Sequence, residues 1–471
     1  MSPDRGILST GTNPRPSSAS EQTPENLSPI EKVESHKDVP PNGGYGWVCT
    51  GAVLALNAHT WGINSAYAVF LAYYLQNNVY PGASDLEFAF IGGLSISQAL
   101  MVSPIATSVT RLYGTRVTLS IGIFLQTLAL VGASFTKEIW QLILSQGFCF
   151  GWGMGFLFIG SVAIIPQWFS TRRSLASGTA AGGSGIGAMI YALSANVMIT
   201  SIGVEWTFRV LAIVSFSVNT VCMILIRDRN KEIAPSQKAF DYRLLKKVEF
   251  LFLLGWGYFS LLGYIILLFS LPSFGRALGL TSMQAAILAA LFNLGQAVGR
   301  SVLGLISDRL GRIDTSMYAT ALAAVFIFTI WMPANGYGVS IFFSLIAGIV
   351  AGVFWGTVPP VTAQVVGLKE LPSALSVQWL MLVLPTTVAE PIALQLRTSG
   401  PNPYRHVQIF AGCMYIGATL CLWMLRAWKV GQLQLEIALG DADRIHQSTE
   451  EKRSSMQRTS FFSRLFSGIK V

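Results

Sequence analysis

Arg300 is a charged side chain in an otherwise apolar segment that runs from about residue 283 to residue 306. A cation at the depth of a bilayer costs roughly 2.5 to 3.5 kcal/mol, so it persists only where it faces a polar cavity or an acceptor. Arg300 therefore points to a transport pathway. Two explanations stay open: a contact with substrate or gate, or an arginine that is satisfied by helix carbonyls or by Gln296 one turn earlier.

Glu390 is a second charge inside an apolar run, and Pro391 follows it. A proline frees a carbonyl in the preceding turn and permits a kink, so the carboxylate could face a cavity. A carboxylate in that setting can take up and release a proton, which makes Glu390 a candidate for proton coupling. The alternative is a protonated, hydrogen-bonded glutamate with a structural role.

Polar and aromatic side chains within the apolar segments mark the rest of the candidate pathway. His59 stands among Asn57, Asn64, Ser65 and Tyr67, which makes the first segment unusually polar. A lone membrane histidine is more often packed and neutral, and most of these residues also suit helix contacts. Several aromatics and few charges favour a larger, partly apolar organic acid as substrate. The further candidates are Gln146, Trp152, Tyr258, Tyr264, Asn293, Gln296, Trp355 and Thr357.

Other chemistries lack their residue patterns. A phosphate-binding loop of the Gly-Lys-Ser/Thr type is missing, which disfavours a pump driven by ATP. Nucleophile and metal constellations are missing too, so we expect no enzymatic activity, no metal and no cofactor. The cysteines have no paired or metal-like spacing and fall inside the apolar segments, at Cys49, Cys149, Cys222, Cys413 and Cys421.

The elements that must position these side chains are membrane helices. Hydrophobic residues make up 52% of the 471 residues and charged residues 12%. A spanning helix needs about 20 mainly apolar residues, and the apolar runs are too continuous for β-barrel strands. Twelve segments qualify, with approximate cores at 46–73, 87–110, 117–135, 141–168, 174–200, 205–226, 248–271, 282–306, 315–333, 337–366, 373–397 and 405–428.

The net charge of +9 reports membrane topology and not nucleic-acid binding. With twelve spans, the two tails and the loops near 111, 172, 227, 309 and 369 lie on one side. That side carries 26 of the 32 Lys and Arg, against 4 on the other side and 2 within spans. The positive-inside rule therefore predicts a multi-pass membrane protein with both termini in the cytoplasm, and we expect it in the plasma membrane.

The chain divides into two similar halves. Gln98 and Gln296 are 198 residues apart, and so are Arg111 and Arg309 in the loops that follow. Two six-helix repeats joined by a linker are typical of transporters that rock one bundle against the other. The predicted parts are a disordered cytosolic tail (1–44), a first bundle (45–226), a cytosolic linker (227–247), a second bundle (248–428) and a basic cytosolic tail (429–471).

The loop after the eighth span has the pattern of a gate. Gly304 permits a close helix crossing, and Asp308 can meet an arginine or a helix terminus when the cytoplasmic side is closed. This spacing resembles the signature of the major facilitator superfamily. The first half contains an incomplete version of the same motif. The resemblance implies a gating motif; an ordinary basic loop is the alternative. Its residues are Gly304, Asp308, Arg309, Gly311 and Arg312, with Arg111, Gly114 and Arg116 in the first half.

Two further segments resemble the conserved motifs of the monocarboxylate porter family within that superfamily. One opens the first span with Gly43, Gly44, Tyr45, Gly46 and Trp47; the other runs from Trp168 to Gly183 and includes Arg172, Arg173 and Gly178. The resemblance covers roughly residues 42 to 428 and is greatest to the filamentous-fungal branch. It implies an all-α, twelve-helix major facilitator fold and an Arg300 that contacts the substrate carboxylate.

The chain departs from the family pattern at ionisable positions. Gln296 stands where well-studied members have an aspartate, Ser65 where they have a lysine, and Asn42 where the first motif begins with an acidic residue. Glu390 stands where the family usually has a proline. The resemblance therefore does not imply proton-linked lactate uptake.

We expect a secondary transporter that moves an organic acid or a small metabolite, by uptake or by efflux of a secondary metabolite. The rival is a transport-inactive ligand sensor or scaffold of the same fold, which a flux assay in liposomes would distinguish. The expected partners are the lipid bilayer, a small organic substrate and, if Glu390 couples, a proton. The sequence leaves the oligomeric state open and is compatible with a monomer.

Overall fold

All regular secondary structure in the described part of the chain is helical. The computed structural model describes residues 40 to 445, apart from residues 84 and 237. Ten of its helices are long and apolar enough to cross a membrane, and a bent pair adds an eleventh if the pair is one span. The first span, Tyr45–Asn77, is divided into three shorter helices. The all-α membrane fold predicted from composition is confirmed. The tail beyond 445 and most of the tail before 45 lie outside the described residues.

The helices of the two halves follow the predicted order, and we number the spans accordingly. The first half contains span 1 (Tyr45–His59, Trp61–Ser65 and Tyr67–Asn77), span 2 (Asp85–Met101 and Ser103–Tyr113), span 3 (Thr115–Ala133), span 4 (Ile139–Trp168), span 5 (Arg173–Ile202) and span 6 (Val204–Leu225). The linker holds a short helix, Asn230–Ile233, and a 3-10 turn, Leu244–Lys246.

The second half repeats the pattern, and its last helix extends past the predicted end of the span. It contains span 7 (Val248–Ala277), span 8 (Ser282–Leu310), span 9 (Arg312–Trp331), span 10 (Tyr337–Ala351 and Val353–Val366), span 11 (Leu371–Met381 and Val383–Gln395) and span 12 (Arg405–Ile445). We call the end of the molecule that carries the loops near 114, 171, 311 and 368 and the linker the basic face.

Five spans that the sequence predicts as continuous helices, spans 1, 2, 4, 10 and 11, are divided into shorter helices, and the breaks in spans 2 and 1 have local causes. Span 2 bends by 40° where Val102 precedes a helix with Pro104 in its first turn. Proline lacks the N–H that a continuous helix needs there. In span 1 the backbone of Thr60 leaves the helix, and the freed carbonyl of His59 accepts a 2.6 Å hydrogen bond from Gln126 Nε2.

Glycines let the two halves approach each other along spans 5 and 8. A Cβ built on Gly178 would collide with the carbonyl oxygen of Arg300, and one on Gly304 would collide with that of Ser174. One on Gly185 would lie 2.7 Å from the carbonyl oxygen of Asn293. Small residues at helix crossings allow this backbone proximity. Arg300 therefore lies where the two bundles touch.

A buried ion pair fastens span 9 to span 12 near the basic face. Asp314 and Arg426 are 5% and 6% exposed, and Arg426 Nε lies 2.5 Å from Asp314 Oδ1. A pair of this kind is costly to break, because one charge would then stay buried alone. The sequence patterns did not single out either residue.

Candidate functional site

The central cavity lies between the two bundles and has Arg300 in its wall. It holds about 650 Å³ of space, part of it open to solvent. Among the described residues that line it, Arg300 is the only charged one. The lining residues are Asn57, Trp61, Asn64, Ser65, Ile96, Phe158, Ala181, Ser184, Gly185, Tyr264, Ile265, Leu268, Asn293, Gln296, Arg300 and Trp355.

Arg300 links span 8 to span 5 across the contact between the bundles. Its Nη1 donates 2.8 Å to the carbonyl oxygen of Ala181 and also donates to Ser184 Oγ, while Nη2 donates 2.6 Å to Gln296 Oε1. The side chain is only 5% exposed. All these partners are neutral, so the positive charge has no counter-ion in the cavity wall as described. A bound anion would supply the negative charge that the wall lacks.

Gln296 connects Arg300 to span 7. Gln296 Oε1 also accepts a 2.7 Å hydrogen bond from the Tyr264 hydroxyl, and its Nε2 donates 3.3 Å to Asn293 Oδ1. The Gln296 amide carries no charge. It can orient Arg300 but cannot neutralise it.

The broken first span brings its polar residues to the cavity. After the break at Thr60, Trp61, Asn64 and Ser65 face the central space. Asn57 Nδ2 donates 3.0 Å to the carbonyl oxygen of Ala180, and Asn64 Nδ2 donates 2.5 Å to Ser95 Oγ. These bonds fix the span against spans 5 and 2.

Aromatic rings from both bundles close the cavity toward the basic face. The ring centroids of Trp61 and Trp355 are 5.3 Å apart, those of Trp61 and Phe158 5.4 Å, and Trp355 stacks on Trp379 at 5.9 Å. Beyond this cluster lies a second, smaller cavity with hydroxyl and amide groups in its wall, from Thr107, Thr110, Thr115, Gln167, Asn230 and Ser376.

Six predicted pathway residues do not line the central cavity. Two of them are Gln146, which lines a separate cavity, and Thr357, whose hydroxyl donates 2.8 Å to the carbonyl oxygen of Val353. His59 Nδ1 lies 2.8 Å from the carbonyl oxygen of Ala55, and the ring meets Tyr191 edge to face at 5.6 Å. The Tyr67 hydroxyl donates 2.9 Å to the carbonyl oxygen of Phe88 and lines a separate cavity. Trp152 Nε1 donates 3.0 Å to Gln98 Oε1. Tyr258 packs edge to face on Phe259, centroids 5.8 Å apart.

The cavity also contains residues that the sequence patterns did not indicate. Trp61 follows His59 by two residues, so its position in the polar stretch of span 1 could have indicated it as a cavity residue. Ser184 lies about two turns beyond Gly178, on the face of span 5 that meets span 8. No sequence pattern could have indicated Phe158 as a cavity residue, because it stands in a uniformly apolar run.

Glu390 is half-buried and does not line the central cavity. It lies in the second helix of span 11, which packs against spans 7 and 2. A role in coupling would therefore not act through direct contact with a substrate at Arg300.

The gating residues meet the other bundle at the basic face. Asp308 accepts hydrogen bonds from the backbone N–H groups of Ser174 and Leu175, at 2.9 and 2.8 Å. These amides open the helix of span 5, where a carboxylate is favoured by the unpaired N–H groups and the helix dipole. Arg312 reaches back to Asp308, with Nε 3.7 Å from Oδ1, and Nη2 donates 2.5 Å to the carbonyl oxygen of Ser170. Arg111, Arg116 and Arg309 are exposed.

The two family motifs touch each other at the same face. Asn42 Oδ1 accepts from the backbone N–H groups of Ser170 and Thr171, at 2.6 and 2.9 Å. Trp47 packs on Phe169 with ring centroids 5.0 Å apart, and a Cβ on Gly46 would lie 2.9 Å from Trp168 Cβ. The amide of Asn42 thus accepts the bonds that an acidic residue would accept.

Arg172 and Arg173 differ in their surroundings. Arg172 is exposed, whereas Arg173 is 8% exposed and its Nε donates 2.8 Å to the carbonyl oxygen of Phe169. Arg173 therefore holds the loop between spans 4 and 5 in the shape that presents the span 5 amides to Asp308.

Comparison with known proteins agrees with this architecture. A model of the Major Facilitator Superfamily matches residues 50–390. The chain is 33% identical over 404 residues to a protein of Saccharomyces cerevisiae described as a probable transporter, MCH2, covering 84% of this chain and 85% of that protein. It is 28% identical to the agnestins efflux protein AgnL12 of Paecilomyces divaricatus, covering 79% and 85%.

A solved structure has the same fold. The crystal structure of the transporter FucP in the outward conformation matches with a TM-score of 0.63 at 11% identity, over 81% of this chain and 99% of that one. The relatives and the fold neighbour are transporters and not enzymes. The chain is a multi-pass membrane protein with the two-repeat, twelve-helix fold, and it belongs to the major facilitator superfamily.

Proposed function

We propose that this protein is a secondary transporter that carries an organic anion or a small acidic metabolite across the membrane by alternating access. The observation that carries the proposal is the position of Arg300, a buried cation at the contact between the bundles and the only charged residue in the described wall of the central cavity. The monocarboxylate porter family, with its fungal branch, is the subfamily that we infer from the motifs.

An anion is the ligand that this wall favours. The guanidinium of Arg300 is held by neutral oxygens, so a bound carboxylate would meet an uncompensated positive charge in a medium of low dielectric constant. The amides and hydroxyls around it would orient the ligand, and the aromatic rings would cover its apolar part.

The closed contacts at the basic face define one end of the transport cycle. Opening that face requires Asp308 to leave the span 5 amides and the aromatic cluster to separate. Rigid-body rocking of the two bundles then exposes the cavity to the other side of the membrane. The excess of Lys and Arg at the basic face supports a cytoplasmic location for it and for both termini. We infer the plasma membrane as the site of action, and the efflux protein among the relatives supports export as one direction of transport.

The test is flux of a radiolabelled organic acid into proteoliposomes with purified full-length protein. We expect Arg300→Gln to lower the initial rate roughly 10- to 150-fold, the range for loss of a hydrogen bond to a charged group. Arg209→Gln is the matched control, because Arg209 is also a cation within a span but lies over Phe135 and Trp206, at 4.8 Å from each ring. Equal losses in both variants would contradict the role of Arg300.

The second candidate function is a transport-inactive sensor or scaffold. The observation that favours it is the absence of the ionisable partners at Gln296 and Ser65. Binding of organic acids without any flux, in protein that still shows the closed basic face, would favour the sensor and contradict the transporter.

Glu390 is the coupling candidate. If Glu390 carries the transported proton, Glu390→Gln removes the dependence of flux on an imposed pH gradient while leaving exchange of substrate in place. An unchanged dependence on the gradient would remove Glu390 from the mechanism.

A further inference from the structure

Three buried polar atoms in the wall of the central cavity have no hydrogen-bond partner in the part of the chain that the structure describes. They are Nε of Arg300 and the indole Nε1 atoms of Trp61 and Trp355. All three are N–H donors. A buried donor without a partner is costly, so groups of this kind in a ligand cavity indicate where ligand acceptors bind.

Two acceptor atoms next to these donors already accept hydrogen bonds from other side chains. Gln296 Oε1 accepts from both Tyr264 and Arg300, and Asn293 Oδ1 accepts from Gln296. Every buried side-chain nitrogen or oxygen of the described wall that lacks a partner is therefore a donor, and these donors lie beside one positive charge. The matching ligand is an anion with more than one acceptor group.

Gly352 packs closely beside Arg300. A Cβ built on Gly352 would lie 3.3 Å from Arg300 Nε and 3.1 Å from Gln296 Cγ. Any larger residue at 352 would therefore crowd the guanidinium and the amide that orients it.

The rest of the wall suits a flat apolar body. Trp355 lies against Trp61 at 5.3 Å and against Tyr264 at 6.4 Å between ring centroids, and Phe158 meets Trp61 at 5.4 Å. Aromatic rings pack well on other rings, face to face with an offset or edge to face.

We propose that the cavity binds an aromatic carboxylate that carries a second hydrogen-bond acceptor. The carboxylate accepts from Arg300 Nε, the ring lies against the indoles, and the second acceptor takes an indole N–H of Trp61 or Trp355. This inference rests on the proposed function for the location of the site, and it adds the chemical class of the substrate.

Binding of three probes to the purified full-length protein in lipid nanodiscs, measured by isothermal titration, tests the class. 4-Acetylbenzoate and 4-isopropylbenzoate have nearly the same shape, but only the first carries the second acceptor. We expect 4-acetylbenzoate to bind roughly 2- to 10-fold more tightly, the range for one neutral hydrogen bond. We expect lactate to bind at least about tenfold more weakly than either, because it lacks the ring. Equal affinity for the two benzoates, or for lactate, would overturn the proposal.

Variants assign the acceptor sites. Trp61→Phe and Trp355→Phe keep a ring and remove the N–H, so one of them should abolish the preference for the acetyl group. Trp331→Phe is the matched control, because the Trp331 indole N–H is also buried and has no hydrogen-bond partner among the described residues, but it does not line the cavity. If both variants still prefer the acetyl group, the assignment of the second acceptor to an indole N–H is wrong.

Gly352→Ala tests the position of Arg300. The added methyl should crowd the guanidinium and Gln296, so Arg300 should hold the carboxylate less well and both benzoates should bind roughly tenfold more weakly. Gly132→Ala is the control, since a Cβ there would lie at an ordinary 3.7 Å from Ser145 Cβ. Unchanged affinity in Gly352→Ala would contradict carboxylate binding at Arg300 Nε.

Flux separates this inference from the proposed function. Binding with the acetyl preference but without flux contradicts the transporter and supports the substrate class. Flux of organic acids with no preference for the ring or the second acceptor supports the transporter and contradicts the substrate class.

Discussion

The two bundles meet at the basic face through two contacts that occupy corresponding places in the repeat, and the contacts are built differently. Span 8 meets span 5 through glycines and the carboxylate of Asp308 on two backbone N–H groups. Span 2 meets span 11 through a hydroxyl: Ser103 Oγ donates 2.9 Å to the carbonyl oxygen of Ser376.

The linker reinforces the second contact. Ser376 Oγ donates 2.7 Å to the carbonyl oxygen of Ala239, Ser373 Oγ donates 2.7 Å to that of Ser236, and the N–H of Lys238 donates 2.8 Å to Ser373 Oγ. At the place of Asp308 the first half has Thr110, which bonds within its own bundle, to Ala106 and Thr118. One contact therefore depends on a charge at a helix terminus and on backbone proximity, the other on neutral hydrogen bonds and the linker. The asymmetry predicts that mutations at the two contacts have effects of different size.

Gly178→Leu should have the largest effect. Its side chain would meet the backbone carbonyl of Arg300, which cannot move aside as a flexible side chain can, so the basic face should fail to close and transport should be lost. Overpacking of this kind costs about 1 to 3 kcal/mol or more, which shifts the closed population roughly 5- to 150-fold. The measurement is thiol labelling of Thr107→Cys, a position that is 4% exposed, in protein without the native cysteines. Labelling as slow as in the parent protein would show that the spans close without the glycine.

Asp308→Asn should have the next largest effect. The amide keeps the size of the side chain but loses the charge at the span 5 terminus, which we expect to cost about 1 to 2 kcal/mol. Hydrogen exchange at the amides of Ser174 and Leu175 should accelerate roughly 5- to 30-fold if it follows opening of the face. Arg309→Gln, at an exposed position of the same loop, is the control and should leave exchange unchanged.

Ser376→Ala should have a smaller effect. It removes the bond to Ala239, a neutral hydrogen bond worth about 0.5 to 1.5 kcal/mol, so labelling of Thr107→Cys should rise roughly 2- to 10-fold. Ser217→Ala is the matched control, because Ser217 bonds only back to Ile213 in its own helix. An effect as large as that of Asp308→Asn would remove the difference between the two contacts.

Thr110→Val should have the smallest effect. The hydroxyl bonds only within the first bundle, so its loss should lower thermal stability by less than about 1.5 kcal/mol and leave thiol labelling unchanged. If Thr110→Val opened the basic face as Asp308→Asn does, the first-half copy of the gating motif would still be functional and the two contacts would be equivalent.

Much of the fold could be predicted from the sequence, because membrane spans are long apolar runs. The order of the helices and the repeat followed from length and spacing. The breaks in spans 1, 2, 4, 10 and 11 did not, since a break at a residue such as Thr60 depends on whether a neighbour such as Gln126 can donate to the freed carbonyl.

The site was predictable in part. Arg300, Gln296, Asn293, Trp355 and three polar residues of span 1 could be chosen because polar side chains in apolar helices need partners. His59, Tyr67, Trp152 and Tyr258 carry the same signal, yet their partners lie within one bundle. Composition cannot tell which face of a helix meets the cavity.

The sequence by itself determined that this chain is a membrane protein of twelve spans in two related halves, since apolar length and charge distribution are properties of single segments. The tertiary structure decided which bundle surfaces meet. The Asp308 carboxylate finds the span 5 amides, the Asn42 amide finds the loop between spans 4 and 5, and Arg300 is left with neutral partners and one free donor, because these contacts join residues more than 100 positions apart.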